Sequence, residues 1–500
     1  MKKIILLALS VGLMFGACSK DFLELSATDT ISKSDIDKIS ENSPHLGIAT
    51  IKGLYTYNIK EFSGGTTGHD DFGQKGYDIY TDMLAGDVNL NTSTYGWYDK
   101  ISNLQNIINF TSYENYKPWR FYYYMVRGAN NIIAGYEGKE INNTEKKVLA
   151  EAKALRAYMY YNLVVMYTKG YEANEKLLPI YPAPVLENLS AKTTQEVFEF
   201  MITDLTDSMR LFEEVGAVGK EKNLNYSVTK GILAYVYATK GTNDALIEAA
   251  KLTDDIILSG AYPLASKEGL LGGFNKMSSN PNWMWGAVLT SENNLDLVSW
   301  WGQMDVYTYS YAYVGDTKGM STELYKAIPD KDVRKQQFVS NVVTDVTGVT
   351  MNIGKENNVP ANKFYSAKGK LFGGQRIIES DYVFMRVEEM YLLNAEVKAR
   401  LGQEAAAKEI LKEFLALRMA DVTFVDNLSG SNLKDEILLQ IRIELWGEGK
   451  AYAAIKRNKA DFKYGSNHIY FPNANFSFDD SKMTFMVPQD EMLNNPVYNN

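Results

Sequence analysis

Apolar residues recur at spacings of three and four along most of this chain, and that period constrains its fold more than any other feature. Ala152, Leu155, Met159, Leu163 and Met166 fall on one helix face. Val197, Met201, Leu205, Met209 and Phe212 form a second stripe, opened by Thr193 and Glu196 as a capping box. Leu246, Ala250, Thr253 and Ile257 make a third, ended by Ser259-Gly260. Met390, Leu393, Val397 and Leu401 make another, stopped at Gly402. Ala406, Ile410, Phe414 and Leu417 follow at once, so these two helices form a hairpin. Leu433, Ile437, Ile441 and Leu445 continue the pattern to Gly447. Each stripe is a core-packing face, and the expected class is mostly α. Tyr122-Tyr123-Tyr124 lies on a predicted helix and is read as packing.

The helical period fails in two places. Insertions near 62–100 and 265–375 are rich in Gly, Asp, Asn, Thr and aromatic residues, and residues 338 to 375 suggest loops and short strands. Irregular stretches of this length in a folded domain usually carry function. The rest of the chain, 45–500, reads as one binding domain carrying those insertions.

Composition removes several function classes. The chain has 52 Lys+Arg against 61 Asp+Glu, a net charge of −9. Without Lys2 and Lys3, which fall in a segment expected to be cleaved, the balance is about −11. A general nucleic-acid binder needs a basic field, so none is expected. With 45% hydrophobic residues the chain can build a large core. The single cysteine excludes an intramolecular disulfide and Cys-based metal sites, and His45, His69 and His468 are scattered. No metal and no cofactor are therefore expected. A loop-oxygen calcium site near Asp78, Asp82 and Asp87 lacks the EF-hand pattern. His69-Asp70-Asp71 reads as a solvated loop, and Asp330-Lys331-Asp332 as solvated or helix-capping. Glu448-Gly449-Lys450 lacks the remaining residues of a phosphate-binding loop, and no Gly-x-Ser-x-Gly elbow occurs. The expectation is a protein that is not an enzyme.

The N-terminus has its own logic. Met1-Lys2-Lys3 is basic, Ile4 to Phe15 is apolar but too short to span a bilayer, and Gly16-Ala17 precede Cys18. This is similar to a bacterial lipoprotein signal, with 1–17 as signal peptide, Cys18 as the acylated residue and 18–44 as a tether. Two or more acyl chains anchor stably. No later run of apolar residues is long enough to span a membrane, so the chain is expected to be tethered to a membrane by lipid without spanning it. Ser19-Lys20-Asp21 resembles export signals that send lipoproteins to the cell surface.

The aromatic residues, 12% of the chain with 34 Tyr and 7 Trp, supply the candidate ligand site. Trp300-Trp301 is followed by Tyr307, Tyr309, Tyr311 and Tyr313, alternating with Thr308, Ser310 and Ala312. A period of two puts the four phenols on one face of an extended segment. They either cover the helical core or form a flat wall for sugar rings, whose C–H faces suit aromatic planes while nearby Asn, Asp and Thr bond the hydroxyls. Tyr95, Trp97 and Tyr98, beside Asn89, Asn91 and Thr94, make a second candidate.

Several further segments, in order, resemble one family. These are Cys18 to Glu24, Gly53-Leu54-Tyr55, Arg127 to Ile133, Glu151 to Tyr158 with Tyr160 to Leu163, Asp204-Leu205, Ser227 to Lys240, Arg386 to Glu396, Leu417-Arg418, Ile443 to Gly449 with Lys456-Arg457, and Val487 to Glu491 with Asn495-Pro496. Together the chain resembles the SusD-like (RagB/SusD) family of outer-membrane nutrient-binding lipoproteins. The resemblance implies a fold of tetratricopeptide-like helix pairs behind a loop-rich variable region with a few short strands. The tetratricopeptide consensus itself is absent from this sequence. It also implies a SusC-like TonB-dependent transporter as partner, an oligosaccharide as ligand, and ligand aromatics drawn from the two insertions. A surface hydrolase, a structural or adhesive surface lipoprotein, and a SusD-like protein serving peptides are the alternatives.

Overall fold

The apolar stripes become helices that pack in succession. The computed structural model describes residues 45–340, 342–345, 350–353 and 358–499. The signal segment 1–17, Cys18 and the tether to residue 44 lie outside the described residues. Residues 1–49 form one unit, of which only 45–49, the start of helix α1 (His45–Tyr57), are described; Thr50–Asn500 form the other.

Within the second unit the main helices are α2 (Gln74–Leu84), α3 (Tyr113–Tyr136), α4 (Asn143–Tyr167), α5 (Thr194–Glu214), α6 (Tyr226–Lys240), α7 (Asn243–Leu258), α8 (Val387–Arg400), α9 (Glu404–Ala416), α10 (Gly430–Glu444) and α11 (Ala451–Asn458). From α3 to α9 each packs on the next, α7 meeting α8 across the long insertion, and α10 also packs on α8. The α5 start is the expected capping box: the Thr193 hydroxyl accepts from the Glu196 N–H, and Glu196 accepts from Thr193. The stripe of α4 is buried throughout, from Ala152 to Met166. In α9 the buried residues are Ala407, Leu411, Phe414 and Leu415, so the expected stripe through Ala406 and Ile410 was one residue out of phase.

Strands are short. Those that matter here are β1 (Val88–Leu90), β2 (Trp283–Ala287), β3 (Lys318–Met320) and β4 (Tyr382–Arg386). The ladder β2–β4 pairs Trp283 with Arg386 and Ala287 with Tyr382, closing the insertion onto the base of α8. The ladder β1–β3 pairs Val88 with Met320 and Leu90 with Lys318, joining the two insertions. Val342–Asp345 pairs with Thr350–Ile353, in the stretch expected to hold short strands.

A buried ion network ties the insertion to the C-terminal helices. Glu444 accepts from Arg334, Arg386 and Arg418 at 3.2, 2.8 and 2.8 Å, and Glu448 from Arg386 and Lys363 at 2.8 Å each. Burial alone would raise the Glu448 carboxyl; Arg386 and Lys363 outweigh it and hold it at about 2. Asp332 belongs to the same network through Arg334 and is fully buried; of the two expected roles, solvated or helix-capping, it takes the second, its carboxylate accepting from the Arg334 N–H at the start of a short 3-10 helix.

Candidate functional site

The two insertions meet along β1–β3, and one carboxylate then shapes the loop beyond it. Asp316, buried, accepts from three successive backbone N–H groups, Thr94 at 2.6, Tyr95 at 2.8 and Gly96 at 3.2 Å. Such a charge-assisted set fixes a loop more firmly than neutral bonds do. Gly315 has φ +128°, and a Cβ there would lie 2.3 Å from the Thr94 hydroxyl, so the close approach requires glycine.

This pinning presents Tyr95 and Trp97. Tyr95 is 56% exposed and meets the Tyr311 ring edge-on at 5.3 Å. Trp97 is half-buried, edge-on to Tyr311 at 6.2 Å, and one of its faces lies parallel on the His69 imidazole at 4.5 Å. The Tyr311 hydroxyl and His69 Nδ1 are 2.5 Å apart. Burial lowers the His69 pKa, with Asp70 partly opposing, so the ring stacked on Trp97 is neutral at pH 7. Gln303 Nε2 donates to the His69 carbonyl at 2.9 Å, and Lys318 Nζ holds Gln303 in turn. Burial pushes Lys318 down to about 8 against the pull of Asp316 and Asp70.

Tyr309, 37% exposed, lies under the Arg376 guanidinium at 5.0 Å, and Arg376 pairs with Asp296 at 2.5 Å. The charge of Asp296 is felt at His69, and Tyr309 and Tyr95 both act on Tyr311, so these groups share one neighbourhood. Tyr95 and Tyr309 are thus exposed and Trp97 half-buried around Tyr311, with His69, Asp296 and Arg376 near them. Aromatic planes beside hydrogen-bonding edges suit a ring with an apolar face and hydroxyl rim.

The other expected site residues are not exposed platforms. Tyr98, Trp300, Trp301, Tyr307 and Tyr311 are 1, 2, 2, 5 and 6% exposed. Trp300 and Trp301 sit on a helical turn, Trp300–Met304, capped by Ser299, with Trp300 packed on Phe364 at 4.5 Å. Residues 307–313 are not an extended segment. The Asp305 carboxylate accepts from the Tyr307 N–H and the Thr308 hydroxyl at 2.9 Å each, and Ser310 caps a helical turn, Tyr311–Val314. Tyr311 is a support under Tyr95 and Trp97. The sequence reading took His69 as part of a solvated loop and passed over Asp296 and Arg376; the roles of all three depend on partners far away in the chain. It also set aside Tyr124, which is 47% exposed and, with Tyr123, Trp119 and Tyr181, lines a groove of about 390 Å³ on α3.

One acidic reading changes as well. Asp70 and Asp71 are buried, not solvated: Asp70 accepts from Lys117 Nζ at 2.7 Å and the Tyr80 hydroxyl at 2.5 Å, and Asp71 from Gly64 and Thr66. Asp78, Asp82 and Asp87 do not converge on a cation. They pair instead with Lys75, the Gly449 N–H and Arg442. Among the described residues no group of three or more His, Cys, Asp or Glu could hold a metal ion.

Comparison with known proteins agrees with this architecture. A model of the SusD family matches residues 303–497, and a second, described as starch-binding associating with the outer membrane, matches residues 62–230. The chain belongs to the SusD family. Among solved structures, this SusD-family chain is similar to a SusD-like carbohydrate binding protein from Bacteroides vulgatus, at 22% identity and TM-score 0.73, covering 91% of this chain and 96% of that one. It is also similar to surface glycan-binding protein A from Bacteroides uniformis, at 15% identity and TM-score 0.66, covering 91% and 98%. NanU of B. fragilis aligns at 16% identity and TM-score 0.61, covering 94% and 98%. No curated protein matches the chain. The SusD-family matches bracket the candidate face, with Tyr95, Trp97 and His69 in one and Tyr309, Tyr311 and Arg376 in the other. Among the described residues no helix is long and apolar enough to cross a membrane.

Proposed function

We propose that this chain is a cell-surface lipoprotein, acylated at Cys18, that captures oligosaccharides and hands them to a SusC-like TonB-dependent transporter without chemistry on the ligand. The observation that carries the binding part is the pinned loop presenting Tyr95 and Trp97 over His69 and Tyr311, with Tyr309 and the Arg376–Asp296 pair beside it. An aromatic platform is worth roughly 1–3 kcal/mol on the scale of base stacking. Three such rings, less the cost of ordering a flexible glycan, give dissociation constants between about millimolar and micromolar. Weak capture suits a protein that must release its ligand to a neighbour.

Transporter docking is assigned to the helical body. The groove on α3 is flanked by exposed apolar side chains, Tyr124, Val185, Leu186 and Leu493, at 47, 37, 89 and 71%. Residues 186–189 and 493–495 are adjacent, since Asn495 Nδ2 donates to the Leu189 carbonyl. Exposed apolar patches of this kind mark protein contacts.

The test is titration calorimetry against a panel of oligosaccharides and peptides, alongside co-purification from membranes. Tyr95→Ala and Trp97→Ala should each weaken glycan binding by about five- to a hundredfold and leave the transporter complex intact. Leu186→Asp with Leu493→Asp should do the reverse. A protein that binds peptides and no glycan, or aromatic variants that lose the transporter and keep the glycan, would overturn this division.

A further inference from the structure

Opposite in chemistry to the aromatic face is a cavity of about 250 Å³ where the C-terminal ends of α4, α6, α8 and α11 meet the start of α7. Five cations line it, Lys240, Arg400, Lys456, Arg457 and Lys459. Among the described residues no acidic one does. Part of this charge has an ordinary purpose, because helix C-termini leave carbonyls without partners. Lys456 Nζ donates to the Val165 and Thr168 carbonyls at 2.9 and 2.6 Å, and Arg400 to the Ala238 carbonyl at 2.9 Å.

Capping does not use up the charge. One carboxylate, Glu396, serves both Arg457, at 3.0 and 2.8 Å, and Arg400, at 3.2 Å. Lys240 and Lys459 pair with no carboxylate among the described residues, and Lys240 lies over the Tyr171 ring at 5.9 Å. Among the described residues Lys456 donates only to carbonyls, with its Nζ 4.2 Å from the Tyr452 ring, and burial pushes its pKa well down, so the surplus rests on Lys240, Lys459 and the two arginines. In a chain of net charge −9 such a surplus of cations is not background. Two buried polar atoms of lining residues also lack hydrogen-bond partners among the described residues, Arg457 Nη1 and the Thr239 hydroxyl. The Arg457 side chain is 3% exposed, so water from bulk does not satisfy it.

We propose that this cavity binds a phosphate-class oxyanion, free or as the ester of a larger molecule. A doubly charged tetrahedral anion matches the cation surplus, accepts from a planar guanidinium and from hydroxyl and ammonium donors together, and fits the space with room for its substituent. A water occupies about 30 Å³ of liquid volume, so the cavity exceeds what one or two waters need.

The test uses the whole protein. Inorganic phosphate is titrated calorimetrically at ionic strength held constant with chloride, and thermal unfolding is followed in parallel. The expected result is one saturable site and a rise in Tm that chloride does not reproduce. Lys240→Glu with Lys459→Glu, both at the rim, should keep the fold and weaken phosphate binding roughly tenfold or more. Arg457→Lys, which keeps a charge for Glu396 and loses the free Nη1 donor, should weaken it independently. Vesicles carrying phosphatidylglycerol distinguish the sources: binding that phosphate displaces assigns a lipid ester, and phosphate binding without vesicle capture assigns the free anion. Stabilisation no greater than that given by chloride, or phosphate binding unchanged in the Lys240→Glu, Lys459→Glu variant, overturns the proposal.

Discussion

Trp300→Ala would remove a side chain that is 2% exposed and packed on Trp301 and Phe364. A stability loss of about 3–5 kcal/mol is expected, read from the denaturant midpoint. Tyr95→Ala, on a ring that is 56% exposed, should shift that midpoint by about 0.5 kcal/mol or less while weakening glycan binding. If Tyr95→Ala unfolds the protein as readily as Trp300→Ala, the ring is core and the ligand lies elsewhere. Both residues stand in irregular sequence beside small polar neighbours, and locally they are indistinguishable. What separates them is what packs above. Phe364 and the Lys75 ammonium, 5.4 Å from its ring, close over Trp300, whereas the Tyr95 ring meets Tyr311 at its edge and stays 56% exposed. His69 shows the converse: nothing near it in sequence signals a ring partner, because Trp97 and Tyr311 are brought to it by tertiary contacts.

The loop 94–96 depends as an element on Asp316. Asp316→Ala leaves three N–H groups without their acceptor, and a loss of about 2–3 kcal/mol in stability is expected together with at least a roughly tenfold loss of glycan affinity. Asp316→Asn, which retains one carbonyl acceptor, should fall between. Binding that survives Asp316→Ala unchanged would show that the loop is not positioned by this carboxylate. Helices were the legible elements: the stripe and capping box of α5 and the stop at Gly402 follow from side-chain periodicity and terminal hydrogen bonding alone. The phase of α9 was not legible, because Ala406 and Ala407 are chemically equal and the facing helix decides which is buried. Residues 307–313 were misread because alternation competes with local side-chain capping. Asp305 and Ser310 each offer the backbone a turn, and those turns prevail over the extended form.

For the molecule as a whole, the network around Glu444 and Glu448 sets an acid limit. The Glu448 carboxyl has a folded pKa of about 2 against an ordinary 4.5. Its stabilisation, about 3 kcal/mol by linkage, is fully present above pH 4.5 and is lost as the pH falls from there toward 2. Glu448→Gln should therefore lower stability at pH 7 and flatten its decline between pH 5 and about 2, measured by denaturation across that range. An unchanged acid profile would mean that another group carries it. The β1–β3 ladder has a different consequence, one of timing. Leu90 and Lys318 are partners about 230 residues apart in the sequence, so closing that loop pays its entropy before any contact repays it. The helices from α3 to α7 need only near neighbours, yet the face of Tyr95, Trp97 and Tyr309 does not exist until strand β3 has been synthesised and has found β1. A chain cut short between residues 258 and 318 therefore keeps the α3 to α7 segment and lacks Tyr309, so the proposed ligand face cannot form. Under the proposed function, competence to capture ligand would thereby report completion of the fold.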